Sequence, residues 1–269
     1  MWGWLGPIAA LGAAYAVAVE PRWLRPVTYD VRLSRLSTAF DGLTILHLSD
    51  LHGRVEVFLS PIFQKWSAAC DIIVVTGDLY SAVLPRQRMA ARLDALTARD
   101  GVYYVSGNHD YRRGRLDVAP WVPGQRLLDN RAAHLKRGGA GLWLAGLPDL
   151  VKGEPRWSDL RRMWADSRDP VVLLSHRPDA ALLAGNEVGL VLSGHTHGGQ
   201  VAIPGFGAVF RHNRLPGRYV GGMLAGTPHV ITSRGLGTSE LPVRFAARPE
   251  IVRVRLWANQ NTPREEQAT

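Results

Sequence analysis

The chain has 269 residues, 46% of them hydrophobic and 20% charged, which excludes a disordered polypeptide and leaves length for one large domain or two small ones. Its net charge of +9 is almost all arginine, the only lysines being Lys65, Lys136 and Lys152. Arginine excess suits phosphate or anionic lipid headgroups as well as it suits a genomic bias, so it sorts partners and not folds. One cysteine, Cys70, excludes intrachain disulfides and thiolate metal clusters, and it reads as a small buried residue.

Residues 1–19 carry no charge, and Glu20 is the first. Segment 1–20 therefore reads as a membrane-anchor helix, either spanning the bilayer or lying on it. A buried core helix is the alternative. Trp2, Trp4 and Trp23 suit interfacial anchoring, and the arginines that follow (Arg22, Arg25, Arg32, Arg35) place the rest of the chain on the cytoplasmic face of the inner membrane. Residues 21–40 read as a proline-punctuated linker entering a strand near Thr28–Leu33. Strands follow at 43–49, 71–76 and 101–106, with helices near 60–69, opened by Ser60-Pro61, and near 86–98. Asp50 to Asp78 is 28 residues and Asp78 to Asn108 is 30, each about one βαβ unit. The second half predicts strands near 133–137, 142–147, 171–175 and 188–193, with helices near 156–167 and 178–184. Further strand signals at 218–224, 228–233 and 249–257 suggest a second, more antiparallel sheet. Residues 258–269 form a polar tail, and 41–257 are the catalytic domain of an α/β protein.

Each apolar run ends in a polar island: Asp50-Leu51-His52, Gly77-Asp78, Gly107-Asn108-His109-Asp110, Ser175-His176 and Gly194-His195-Thr196-His197. In extended chain Asp50 and His52 project to one side, and His195 and His197 repeat that spacing. With Asp78, Asn108 and His176 they form a sulfur-free donor set suited to Mn, Fe or Zn. Seven donors exceed one tetrahedral site and suit two metals sharing a carboxylate. Singly, Asp50 could cap a helix, Asn108 could make a turn and His176 could cap the next helix. Gly77, Gly107 and Gly194 would let the chain turn sharply at strand ends, and Gly198-Gly199 would let backbone approach a bound oxyanion. His47 is offset by an odd number from Asp50 and faces the core; His134, His212 and His229 match no island.

Taken in order, D-x-H, G-D, G-N-H-D, H and G-H-x-H resemble the signature of the calcineurin-like metallophosphoesterase superfamily. The resemblance implies a four-layer α/β/β/α sandwich of two mixed sheets. It assigns Asp50, His52 and His197 to one metal, Asn108, His176 and His195 to a second, and Asp78 to both. It further implies that a hydroxide between the metals attacks phosphorus. His109 would be the general acid, or would stabilise the leaving oxygen, and a carboxylate would orient it, Asp110 being the nearest. The runs GLTILHLSDLH, GHTHGGQ and SRGLGTSELPVRF look like the membrane-associated bacterial phosphodiesterases of the YkuE/YaeI type, some of which cleave UDP-2,3-diacylglucosamine in lipid A biosynthesis. The expected substrate is thus a phosphoester or pyrophosphate, with a nucleotide-linked lipid in the lead. Phosphoprotein phosphatases of the superfamily carry G-D-x-x-D-R-G, whereas this chain reads Gly77-Asp78-Leu79-Tyr80-Ser81-Ala82-Val83, which counts against that class. Arg54, Arg112 and Arg234, with Arg113 and Arg211, stand near the motifs as candidate substrate contacts. Tyr80, Tyr111 and Phe206 could stack on a base or line an acyl groove. A broad-specificity phosphodiesterase or nuclease and a non-catalytic scaffold are the rival readings. No basic stretch with interleaved aromatics marks a nucleic-acid groove, and no protein partner is evident.

Overall fold

The computed structural model describes residues 5–80, 86–118, 122, 126–203, 207–209 and 219–259. In chain order the first half carries β1 (Arg25–Leu33), β2 (Leu43–Leu48), α2 (Pro61–Ser67), β3 (Ile72–Thr76), α3 (Arg86–Asp94) and β4 (Val102–Val105), preceded by helix α1 (Leu5–Ala14). A small hairpin, β5 (Tyr111–Arg112) with β6 (Arg115–Leu116), follows. The second half carries β7 (Arg131–Arg137), β8 (Ala140–Leu147), α4 (Trp157–Arg162), β9 (Val171–Ser175) and β10 (Val188–Ser193). Then come the short pair β11 (Ala202–Ile203) and β12 (Gly207–Ala208), then β13 (Gly222–Leu224), β14 (His229–Thr232) and β15 (Glu250–Ala258).

Two mixed sheets result, ordered β1-β15-β2-β3-β4 and β13-β14-β10-β9-β8-β7. Their strands alternate at period two between separate cores, as pleated backbone requires. Ile72 and Val74 of β3 meet Val172 and Leu174 of β9 and Leu190 and Leu192 of β10 between the sheets. Ile73 and Val75 face outward onto Phe63 and Trp66 of α2 and Met89 and Leu93 of α3. On the far side Val171 and Leu173 pack against Leu160 and Trp164. Helix α2 starts where expected, because Ser60 Oγ accepts from Phe63 N at 3.3 Å and Pro61 occupies the first turn. In the second sheet the inner pairings β14·β10, β10·β9 and β9·β8 are parallel, and only the edge strands β13 and β7 run antiparallel. The expected antiparallel character is therefore confined to the edges. The predicted helix at 178–184 is a 3-10 turn, Pro178–Leu182, and α4 is shorter than the predicted 156–167.

The bilayer-spanning form of the N-terminal expectation finds no support. Among the described residues no helix is long and apolar enough to cross a membrane. Helix α1 passes through a π-helical turn (Tyr15–Val19) and a 3-10 turn (Glu20–Arg22) that dock on the domain. Ala16 O accepts from Arg244 N at 2.9 Å. The carboxylate of Glu20, 1% exposed, accepts from Ala246 N and Ala247 N at 3.0 and 2.6 Å. A buried carboxylate needs such donors, so the first charged residue is a structural staple. The strand expected near Thr28–Leu33 forms and begins three residues earlier: β1 pairs with β15 in parallel along all nine residues.

His47 is a core histidine, fully buried with Nε2 2.8 Å from Thr76 Oγ1, and burial pushes it down to about 4. Cys70 is buried, and burial pushes its thiol up to about 11.

Candidate metal centre

The buried hydrophobic strands β2, β3, β9 and β10 end together, and each hands over to one of the polar islands. The loops are held to one another by backbone bonds: Asp50 N donates to Gly77 O at 3.1 Å, His52 N to Asp78 O at 2.9 Å, and Gly194 N to His176 O at 3.0 Å. Asp50, His52, Asp78 and His197 are all buried, and one ligand atom from each lies within 4.8 Å of the others. His52 Nε2 is 3.2 Å from His197 Nε2 and 3.6 Å from Asp78 Oδ2, and His197 Nε2 is 3.3 Å from Asp50 Oδ1.

A second group adjoins the first. His176 Nε2 lies 3.3 Å from Asp78 Oδ2, 3.1 Å from Asn108 Oδ1 and 3.2 Å from His195 Nδ1. Bonds of about 2.0–2.2 Å to one ion place its nitrogen and oxygen ligands about 3.0–3.6 Å apart, the separations seen in both groups. Asp78 Oδ2 belongs to both groups. All seven predicted ligands are thus brought together, and they fit a pair of divalent ions.

The backbone that achieves this differs from the extended chain expected. Asp50, His52, Asp78, His195 and His197 have φ of 51°, 44°, 53°, 69° and 51°, the left-handed region that costs non-glycine residues energy and clusters at functional sites. Each ligand pair converges through two left-handed residues, so the spacing was informative for a reason other than strand geometry. Of the flanking glycines, Gly77 does turn (φ 84°). Gly194 is required by close approach instead, since a Cβ there would lie 1.9 Å from Ser49 Oγ and 2.2 Å from Asp50 Oδ2.

A surrounding shell orients the donors. His176 Nδ1 donates to Thr76 O at 2.8 Å, leaving Nε2 for the cluster; such outer partners set the ligating nitrogen. Asp50 Oδ2 accepts from Ser49 Oγ at 2.7 Å and from His195 N at 3.1 Å, and Asp78 Oδ1 accepts from His109 N at 2.8 Å. Burial opposes a charge on His176, yet Asp78 and Asp50 outweigh it and hold the ring up to about 10. Burial and neighbouring cations hold His195 well down, and burial brings His52 to about 4. This polarised, desolvated set of anions is what a divalent cation would neutralise.

Asp110 does not serve as expected. Its carboxylate accepts from Asp78 N, Leu79 N and Gly107 N, each at 2.8 Å, and it is 1% exposed. It ties the Asp78 and Asn108 loops together. Among the described residues no carboxylate is bonded to the His109 ring, whose edge meets His52 at 5.1 Å between centroids. Arg54 Nη1 donates to Leu236 O at 2.7 Å beside His52. Arg234 instead approaches buried Glu250 at 3.5 Å, and Arg112 is exposed on the β5–β6 hairpin. Tyr80 is buried, and the Tyr111 hydroxyl is 3.0 Å from Ser106 Oγ. Arg211 and Phe206 lie outside the described residues.

Two arginines escaped the sequence reading. Arg177 Nη1 is 2.7 Å from His195 Nε2, while its Nε donates to buried Asp149 at 2.7 Å. Arg244, fully buried, donates to the carbonyls of Gly237, Ala247 and Arg234 and lies 3.3 Å from His197 Nδ1. Arg177 had a signal in its position next to His176. Arg244 had only its place in the LPVRF run.

A family model for calcineurin-like phosphoesterases matches residues 43–199, and the chain belongs to that family. It is 32% identical to the uncharacterized metallophosphoesterase YkuE of Bacillus subtilis over 89% of this chain and 88% of that one. It is 29% identical to the phosphodiesterase YaeI of Escherichia coli over 91% and 93%. It is also 30% identical to a transmembrane protein with metallophosphoesterase domain from Danio rerio, covering 93% of this chain and 61% of that one. Family and ligand cluster together make the protein a metal-dependent phosphoesterase with residues able to hold a dimetal site.

Proposed function

We propose that this phosphoesterase hydrolyses a phosphodiester or pyrophosphate at the cytoplasmic face of a membrane, with UDP-2,3-diacylglucosamine as the leading substrate. The observation that carries the hydrolytic reading is the placement of Asp78 Oδ2 between two histidine groups, 3.6 Å from His52 Nε2 and 3.3 Å from His176 Nε2. Asp50, His52 and His197 would hold one divalent ion, and Asn108, His176 and His195 the other. Such a pair supplies Lewis acidity toward a phosphoryl group and acidifies water. His109 is positioned through its backbone bond to Asp78 to donate a proton or hydrogen bond to the leaving oxygen. The catalytic domain is assigned to residues 41–257.

Support for the membrane comes from the N-terminal segment. Leu11, Val19 and Trp23 are 71%, 48% and 53% exposed beside Arg25, a combination suited to a helix lying in an anionic interface. The identity with a transmembrane relative adds to it.

The test is a panel with the Mn-loaded full chain: UDP-2,3-diacylglucosamine, bis(4-nitrophenyl) phosphate and single-stranded DNA. UMP release from the lipid nucleotide with a kcat/KM at least about tenfold above that for the simple diester is the expected result. Hydrolysis of the simple diester alone would remove the lipid assignment, and hydrolysis of none would remove the phosphoester reading.

A further inference from the structure

Two clefts diverge from the metal centre on either side of segment 237–243. One, of about 410 Å³, holds Asp78, Asn108 and His109 and is closed by Gln200, Ser239 and Leu241. The other, of about 630 Å³, is lined by His52 and Arg54, by Gly237 and Pro242, and by Val17 and Arg22 of the N-terminal segment. His52 of the larger cleft lies 3.2 Å from His197 of the smaller. Seven of the twelve residues lining the larger cleft lie outside the stretch 43–199 that the family model matches.

The larger cleft has a distinct chemistry. Val17, Leu24 and Val57 make it apolar, while Arg22 and Arg54 line it and Glu56 is the one carboxylate among its described lining residues. Among the described contacts both guanidiniums donate to backbone carbonyls only, Arg54 to Leu236 and Arg22 to Val17 and Ala18. Burial and the nearby Arg22 charge both lower the Arg54 guanidinium, against Glu56. Two like charges flanking an apolar cleft are relieved by an anion between them.

A phosphomonoester has one organic arm and would leave one cleft empty; a diester has two. Resting on the proposed phosphoesterase reading, we propose that a two-armed phosphoester straddles segment 237–243, its leaving arm on the His109 side. The retained arm lies in the Arg22–Arg54 cleft, where the N-terminal segment forms its wall and where a further anionic group on that arm is bound. The N-terminal segment is then part of the substrate site, and the staple that fixes it, Glu20 on Ala246 and Ala247 at 3.0 and 2.6 Å, sets the cleft's width.

The test uses the Mn-loaded full chain and three nitrophenyl esters: 4-nitrophenyl phosphate, 4-nitrophenyl thymidine 5′-phosphate, and the latter bearing a 3′-phosphate. Val17→Trp fills the cleft from a half-exposed position. The ratio of diester to monoester kcat/KM is expected to fall at least about tenfold, through KM. In the wild type the 3′-phosphate should lower KM about fivefold, and Arg22→Glu should erase or reverse that gain. Arg22 is exposed, so this second variant decides the matter if the first fails to fold. An unchanged ratio, or a 3′-phosphate with no effect on KM, overturns the cleft assignment while leaving the phosphoesterase reading intact. A wild type that releases no nitrophenolate from any ester overturns both.

Discussion

Asp78→Asn is expected to lower kcat for phosphoester hydrolysis by about 10³-fold or more, because it removes the one anionic oxygen common to both ligand groups. The substitution preserves shape, and asparagine tolerates the φ of 53° found there. Oδ1 would still accept from His109 N, so the loop has no reason to move. Loss of activity should therefore come with loss of bound metal and a lower thermal midpoint of the metal-free protein, because buried His176 loses an anionic partner. Activity, metal content by elemental analysis and the melting curve check this together. Substantial activity in Asp78→Asn would contradict the shared-carboxylate assignment.

The second large effect is structural. Asp110→Ala should destabilise the metal-free protein by about 3–5 kcal/mol, since three buried N–H groups lose their acceptor at a cost of about 1–3 kcal/mol each and the loops relax only in part. Asp110→Asn retains one acceptor oxygen and should cost about half as much. Denaturant midpoints measure both. Metal affinity should fall in parallel, because Asp110 joins the loop of Asp78 to that of Asn108. Should Asp110→Ala keep its stability and lose only the alkaline limb of its pH–rate profile, the carboxylate would be acting on His109 instead.

These two aspartates mark where sequence reasoning holds and where it stops. Fully buried strands such as Ile72–Thr76 and Val171–Ser175 announce themselves as short apolar runs. The ligands do so as polar residues at the ends of those runs, which is why Asp78 was legible. Asp110 adjoins a motif, but its partners Asp78 and Leu79 lie 32 and 31 residues away, and adjacency to His109 suggested the wrong one. Arg244 has the same difficulty, its partners being loop carbonyls brought together only by the fold. The uncharged N-terminus argued for an anchor; the buried carboxylate of Glu20, bonded 226 and 227 residues away, could not be read from hydropathy. Local pattern reports burial and chemistry well, and long-range hydrogen bonding poorly.

The two-metal assignment is tested by titrating metal-free full-length protein with Mn while bis(4-nitrophenyl) phosphate hydrolysis is followed. No hydrolysis is expected before metal is added, with saturation at about two equivalents per chain and Asp78→Asn failing to reach that stoichiometry. Full hydrolysis by the metal-free protein, or saturation at one equivalent, would contradict it.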